Sequence, residues 1–141
     1  MNILIIHRKK GDPVEDFANL IKEKLEKDGN HVDMLSREDD LNMPNLSSSM
    51  GSLKEFVIKK DSENNYDRIY TFDWSLAFPL LIPHKVLKDK HFCFFYDIET
   101  SGGRSEILQK ISGNIMKDHL FVRTDELKNK FPKAKLYKDE D

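Results

Sequence analysis

Ile3-Leu4-Ile5-Ile6 is apolar at every position. A strand with one wet face alternates. A strand with no polar position is buried on both faces, as in the middle of a parallel sheet with helices above and below. Ile69-Tyr70-Thr71-Phe72 and Phe92-Cys93-Phe94-Phe95-Tyr96 have the same character. A parallel neighbour is reached only through a crossover, so helices are expected between these runs. After the first run, Asp12 can cap a helix, Pro13 suits its first position, and Glu15 can reach back as in a capping box. Val14, Phe17, Ala18, Ile21 and Leu25 then recur at helical spacing, and Gly29 is the expected stop. His31 to Leu35 is the expected second strand, giving a βαβ unit with a right-handed crossover.

The same reading continues down the chain. Residues 36–50 are polar and irregular, with Ser47-Ser48-Ser49 expected as a loop and cap. Leu53, Phe56 and Val57 mark a second helix. Trp74 to Leu81 is nearly all apolar and reads as a buried helix, with Pro79 marking a bend or an end. Ile107, Leu108, Ile111 and Ile115 define a long helix after Gly102-Gly103. Leu120-Phe121-Val122 is a short strand, and Thr124 or Asp125 caps a final helix that carries Leu127 and Phe131 and stops at Pro132. Ala134 to Tyr137 is a candidate last strand. The expected fold class is α/β, a three-layer Rossmann-like domain with a mainly parallel sheet, spanning 1–141 as one domain. A chain of 141 residues is long enough to bury the core this needs.

Composition removes several classes. A net charge of −2 gives no global argument for nucleic acid or an anionic membrane. No apolar stretch approaches the roughly 20 residues of a transmembrane helix. The N-terminal apolar run is too short for a signal peptide, and the one cysteine excludes an internal disulfide, so a cytoplasmic protein is expected.

Ligands of such sheets bind beyond the carboxyl ends of the strands, near a topological switch point. His7, Arg8, Lys9, Lys10 and Gly11 follow the first strand; Asp73 and Trp74 follow the third. Asp97, Glu99 and Ser101-Gly102-Gly103-Arg104 follow the fourth; Arg123, Thr124 and Asp125 follow the fifth. A cleft there is expected to be lined by Lys9, Lys10, Gly11, Asp73, Asp97, Glu99, Arg104 and Thr124. Its cations and helix start suit phosphate or an anionic acceptor. The plain alternative is a set of solvated loop charges. Asp97 is the candidate catalytic base for an acceptor hydroxyl. Asp97 and Glu99 have no third ligand near in sequence, so no metal is expected, and no cofactor motif is present. Cys93, inside an aromatic strand, reads as a small core residue, and no G-x-S-x-G elbow exists.

Two segments carry a family resemblance. Tyr66-Asp67-Arg68-Ile69-Tyr70-Thr71-Phe72-Asp73-Trp74-Ser75-Leu76-Ala77 resembles the "Y-D-I-I-H-x-x-D" strand and following helix in the N-terminal domain of GT-B glycosyltransferases of family 4. The segment from His119 to Pro132 resembles that family's "V-x-S-x-x-L-K-x-x-F-P" stretch, with Thr124 in place of its Ser. The first loop has only Gly11 where relatives carry a Gly pair, and Tyr96-Asp97 stand where they carry a His. The resemblance implies the acceptor-side half of a sugar transferase that uses a nucleotide-sugar donor. It implies a C-terminal glycosyltransferase domain or subunit as partner, a sugar or sugar-lipid acceptor, and a place in the cytoplasm or at the membrane periphery. The chain ends at Lys138-Asp139-Glu140-Asp141, where the family's turn into the donor domain would begin, so the half is expected to be inactive alone. The alternative expectation is a stand-alone α/β binding or interaction domain without catalysis. A flavodoxin-like nucleotide binder is a third.

Overall fold

The computed structural model describes residues 1–137. Six strands form one sheet: β1 (Asn2–His7), β2 (His31–Ser36), β3 (Arg68–Phe72), β4 (His91–Phe95), β5 (Leu120–Val122) and β6 (Lys135–Leu136). Their order is β2-β1-β3-β4-β5-β6, and every neighbouring pair is parallel. The three doubly apolar runs are the central strands β1, β3 and β4, as their burial requires. The helices are α1 (Pro13–Lys27), α2 (Leu46–Ser49), α3 (Ser52–Asn64), α4 (Trp74–Leu81), α5 (Arg104–Met116) and α6 (Asp125–Lys130), with a 3₁₀ turn at Lys117–His119.

Local chemistry sets the helix ends. The Asp12 carboxylate accepts from the Glu15 N–H, Pro13 occupies the first turn of α1, and Gly29 takes φ 89° beyond its end. Residues 45–50, expected as a loop and cap, form a one-turn helix α2. Asn45 and Ser48 exchange a reciprocal capping box that satisfies the turn's first N–H groups. Pro79 does not end α4, which runs two residues further to Leu81. Thr124 is the cap of α6, accepting from the Leu127 N–H.

The crossovers distribute unevenly. From β1 the chain passes through α1 to β2, and Phe17, Ala18 and Ile21 pack on Ile3, Ile5 and Val32. From β2 it returns across β1 to β3, and α3 packs on Leu4, Ile6 and Ile69 of the opposite face. α4, α5 and α6 follow on that opposite face, around Cys93, Phe95, Leu120 and Val122. Movement in opposite directions with helices on opposite faces gives every crossover the same hand. Among the described residues, no helix is long and apolar enough to cross a membrane.

Gly113 marks the tightest packing in this layer. A Cβ built there would stand 2.3–2.9 Å from three carbons of the Phe131 ring. That ring is buried and meets Phe95 edge to face at 5.4 Å, so it has little room to move. Gly113→Ala gains about 1 kcal/mol of helix propensity. Overpacking costs typically 1–3 kcal/mol and wins here. We expect a net loss of roughly 1–2 kcal/mol in urea unfolding, and Phe131→Leu in the same chain should recover part of it.

Candidate functional site

The strand order reverses between β1 and β3, so the loops leaving their carboxyl ends part toward opposite faces. The crevice between them holds about 260 Å³ and is lined by Arg8, Arg37, Asp73, Trp74, Glu99 and Ser105, with Pro44 to Leu46 at its side. This is the position that open α/β sheets use for ligands.

Asp73 is its centre. It stands at the end of β3 and caps α4, accepting from the Trp74 N–H at 2.9 Å. Its backbone lies at φ 89°, ψ 157°, a region occupied almost only by glycine. Such a conformation costs about 1–3 kcal/mol in a residue with a Cβ and persists where surrounding contacts over-determine it. Here the Asp73 N–H donates to Phe94 O at 2.7 Å, and the Asp73 carbonyl accepts from Leu76 N–H and from the Cys93 thiol. Burial pushes the half-buried Asp73 carboxyl up to about 6; Glu99 and Asp97 add to the rise, while the Trp74 N–H and Arg8 oppose it. A strained carboxyl poised near neutral pH in a crevice is a functional-site signature.

The remaining wall is built around it. The Trp74 indole N–H donates to Glu99 at 3.1 Å. Fully buried Gln109 fixes the segment that carries Glu99: its amide donates to Asp97 O at 2.9 Å, and its carbonyl accepts from the Glu99 N–H at 3.0 Å. Arg37 is 3% exposed and reaches Met43 O, Pro44 O and Glu38. Burial lowers its pKa, against the pull of Glu38 and Asp73. Arg8 shares Glu38 at 2.9 Å. Arg8 and Arg37, both bonded to Glu38, line one small polar crevice with Asp73 and Glu99.

The expected site residues divide. Asp73 and Glu99 enter the crevice. Lys10 and Gly11 are tied elsewhere: the Lys10 N–H donates to Asp39, its ammonium lies 3.3 Å from Asp40, and the Gly11 N–H donates to Glu15. These bonds occupy the loop before α1, and the Asp12 carboxylate accepts from the Glu15 N–H in its first turn. Lys9 and Arg104 do not line the crevice. Asp97 is exposed, pairs with Arg123 at 3.0 Å and does not line the crevice. Thr124 lies in a second, wider cleft of about 720 Å³ between α1 and the ends of β4 to β6, beside Asp16, Phe17, Tyr96, Arg123 and Tyr137. That cleft is larger, but its charged residues are exposed and held in ordinary conformations, so the smaller crevice is the stronger candidate. Among the described residues no cluster of His, Cys, Asp and Glu could hold a metal ion.

Arg37 and Gln109 are the participants that strand-end reasoning passed over. The carboxyl-edge rule, extended to β2, leads to Arg37, the residue directly after Ser36. Gln109 sits on α5 among Leu108, Ser112 and Met116 and is fully buried. A lone amide near an apolar stripe was its only signal. No protein-family model matches the chain, and no curated protein or solved structure matches it significantly.

Asp73 has a measurable pH signature. Its folded pKa of about 6 lies above the ordinary 3.8, so the fold favours the protonated acid. The stabilisation is complete below 3.8 and is lost as pH rises through about 6. Asp73→Asn keeps a capping oxygen and removes the charge. Relative to the unsubstituted chain, the variant should gain about 2 kcal/mol in urea unfolding between pH 4 and pH 7, allowing for partial exposure. A pH-independent difference would show that the carboxyl is not held as an acid.

Proposed function

We propose that the chain is the acceptor-side half of a sugar transferase using a nucleotide-sugar donor, with the Asp73 crevice as its acceptor pocket. The observation that carries this reading is the strained Asp73 carboxyl at the switch point, in one crevice with Glu99 and the two arginines. A pocket of about 260 Å³ falls below the ~300–1,000 Å³ of drug-sized sites and suits one polar ring. Carboxyls accept from sugar hydroxyls, and guanidinium groups take an anionic substituent. We assign the base role to Asp73 in place of Asp97. A carboxylate with a pKa of about 6 can take a proton from an acceptor hydroxyl near neutral pH, whereas Asp97 is exposed, lies outside the crevice and is ion-paired with Arg123.

The donor is assigned to a second domain or subunit. In this half the Lys10 and Gly11 N–H groups of the loop before α1, which a phosphate would use, are bonded to Asp39 and Glu15. A site shared between two domains gains its water exclusion only when both are present. The isolated chain should therefore give no sustained transfer from a nucleotide sugar.

The test is NMR shift mapping of the chain with glucose 6-phosphate, methyl glucoside and uridine diphosphate, each titrated separately. Glucose 6-phosphate is expected to shift Asp73, Trp74 and Glu99, and Asp73→Asn with Arg8→Gln should weaken it by roughly tenfold or more. Tight nucleotide binding by this half, or sustained transfer by it alone, would overturn the assignment. Sugar binding that never leads to transfer, even with a completing domain, would establish the stand-alone binding domain instead.

A further inference from the structure

The two faces of the sheet are dressed differently. α3, α4, α5 and α6 cover the face of Leu4, Ile69 and Phe95. Among the described residues α1 is the only helix on the other face, and it lies against β1 and β2. Over β3 to β5 that second face is an aromatic ladder. Phe72 stacks on Phe94 at 4.6 Å, and Phe94 on Phe121 at 4.8 Å. Phe92 stacks on His119 at 4.3 Å, beside Tyr70. Rings stacked across strands stand on edge, so their faces are spent on one another and their hydrogen-bearing rims point outward.

Cations close both flanks. Arg68, at the start of β3, lies 4.9 Å over the Phe92 ring and donates to the Tyr70 hydroxyl at 3.1 Å. Lys135, on β6, lies 5.7 Å over the Phe121 ring. Among the described residues neither forms an ion pair. Ring rims carry partial positive charge, so the ladder and its flanks share one sign. The width also has a natural occupant. β3 to β6 spans three strand spacings, about 14 Å, and a helix with its side chains is about 10–12 Å across. A helix over β4 and β5 would lie about 14 Å from α1, and Tyr137 packs between Phe17 and Phe94 in that gap.

We propose that this face, from Arg68 across Phe92 and Phe121 to Lys135, docks an amphipathic helix with acidic flanks supplied by a protein partner. Single-stranded nucleic acid is disfavoured because base stacking needs free ring faces, and these are taken. Phe92 and Phe94 are already 9% and 5% exposed, so little apolar area remains to be buried. Charge attraction therefore carries most of the affinity, and binding is salt-sensitive. The face is independent of the Asp73 crevice, so its test can fail without touching the proposed function.

The experiment uses the full chain and two synthetic helical peptides with the same leucine stripe, one flanked by Glu and one by Lys. Backbone NMR shifts report where each binds. The Glu peptide should shift Tyr70, Phe92, Phe121 and Lys135, and its Kd should rise roughly tenfold between about 50 and about 300 mM salt. Arg68→Glu combined with Lys135→Glu should transfer the preference to the Lys peptide, a gain that a misfolded chain cannot imitate. Equal binding of both peptides, shifts confined to Ile107 and Ile111 on α5, or no shift at about 1 mM Glu peptide would overturn the proposal. So would binding of phosphatidylserine vesicles through the same residues without binding of the Glu peptide, which assigns the face to a membrane.

Discussion

A parallel neighbour is reached only by a crossover, and the crossovers here all turn with the same hand. That constraint organises the molecule. The chain leaves β1 for β2 in one direction and returns past β1 to β3 in the other. α1 is thereby placed on one face and α3 to α6 on the opposite one. The loops after β1 and β3 separate, which opens the crevice around Asp73. The aromatic ladder left on the α1 face over β3 to β5 has the same origin. Candidate pocket and candidate docking face both follow from one reversal in strand order.

The packed layer beneath α4 holds Asp73 in its costly conformation. Thr71 and His91 share a hydrogen bond of 2.7 Å inside the core. Burial lowers the His91 pKa to about 3, so the ring is neutral there. Cys93, whose thiol burial pushes up, donates to the Asp73 carbonyl at 3.5 Å. The Asp73 N–H is fixed on β4 through Phe94 O. The residue is thus anchored by its own strand end, by its neighbour and by the helix it caps. A carboxyl held this firmly approaches a ligand without first paying to be ordered.

Sequence reasoning read the sheet well because burial on both faces leaves a plain trace: consecutive apolar residues at 3–6 and 92–95, bounded by caps such as Asp12 and Thr124. It nominated Asp73 and Glu99 because the carboxyl-edge rule depends only on where strands end. It gave Lys10 and Gly11 the same standing, since nothing in the local chain announces that Asp39, Asp40 and Glu15 would claim them. Those bonds join segments about 30 residues apart, or belong to a cap whose partner depends on the turn's geometry. Asp97 failed to join the crevice for a similar reason: its partner Arg123 comes from the next strand end.

The sequence by itself determined the α/β class, the central strands and the caps of α1 and α6, because each rests on periodicity or on contacts within a few residues. It also determined that Cys93 is a core residue, since an aromatic strand leaves a small side chain no other place. Only the tertiary structure decided which strand ends face one another, and so that Arg37 lines the crevice with Asp73 while Gln109 holds the segment that carries Glu99. It alone decided the strain at Asp73, because φ 89° is imposed by bonds to β4 that the local sequence does not encode. The contrast between the two faces of the sheet was likewise settled by strand order, a long-range property that crossovers fix and local spacing cannot express.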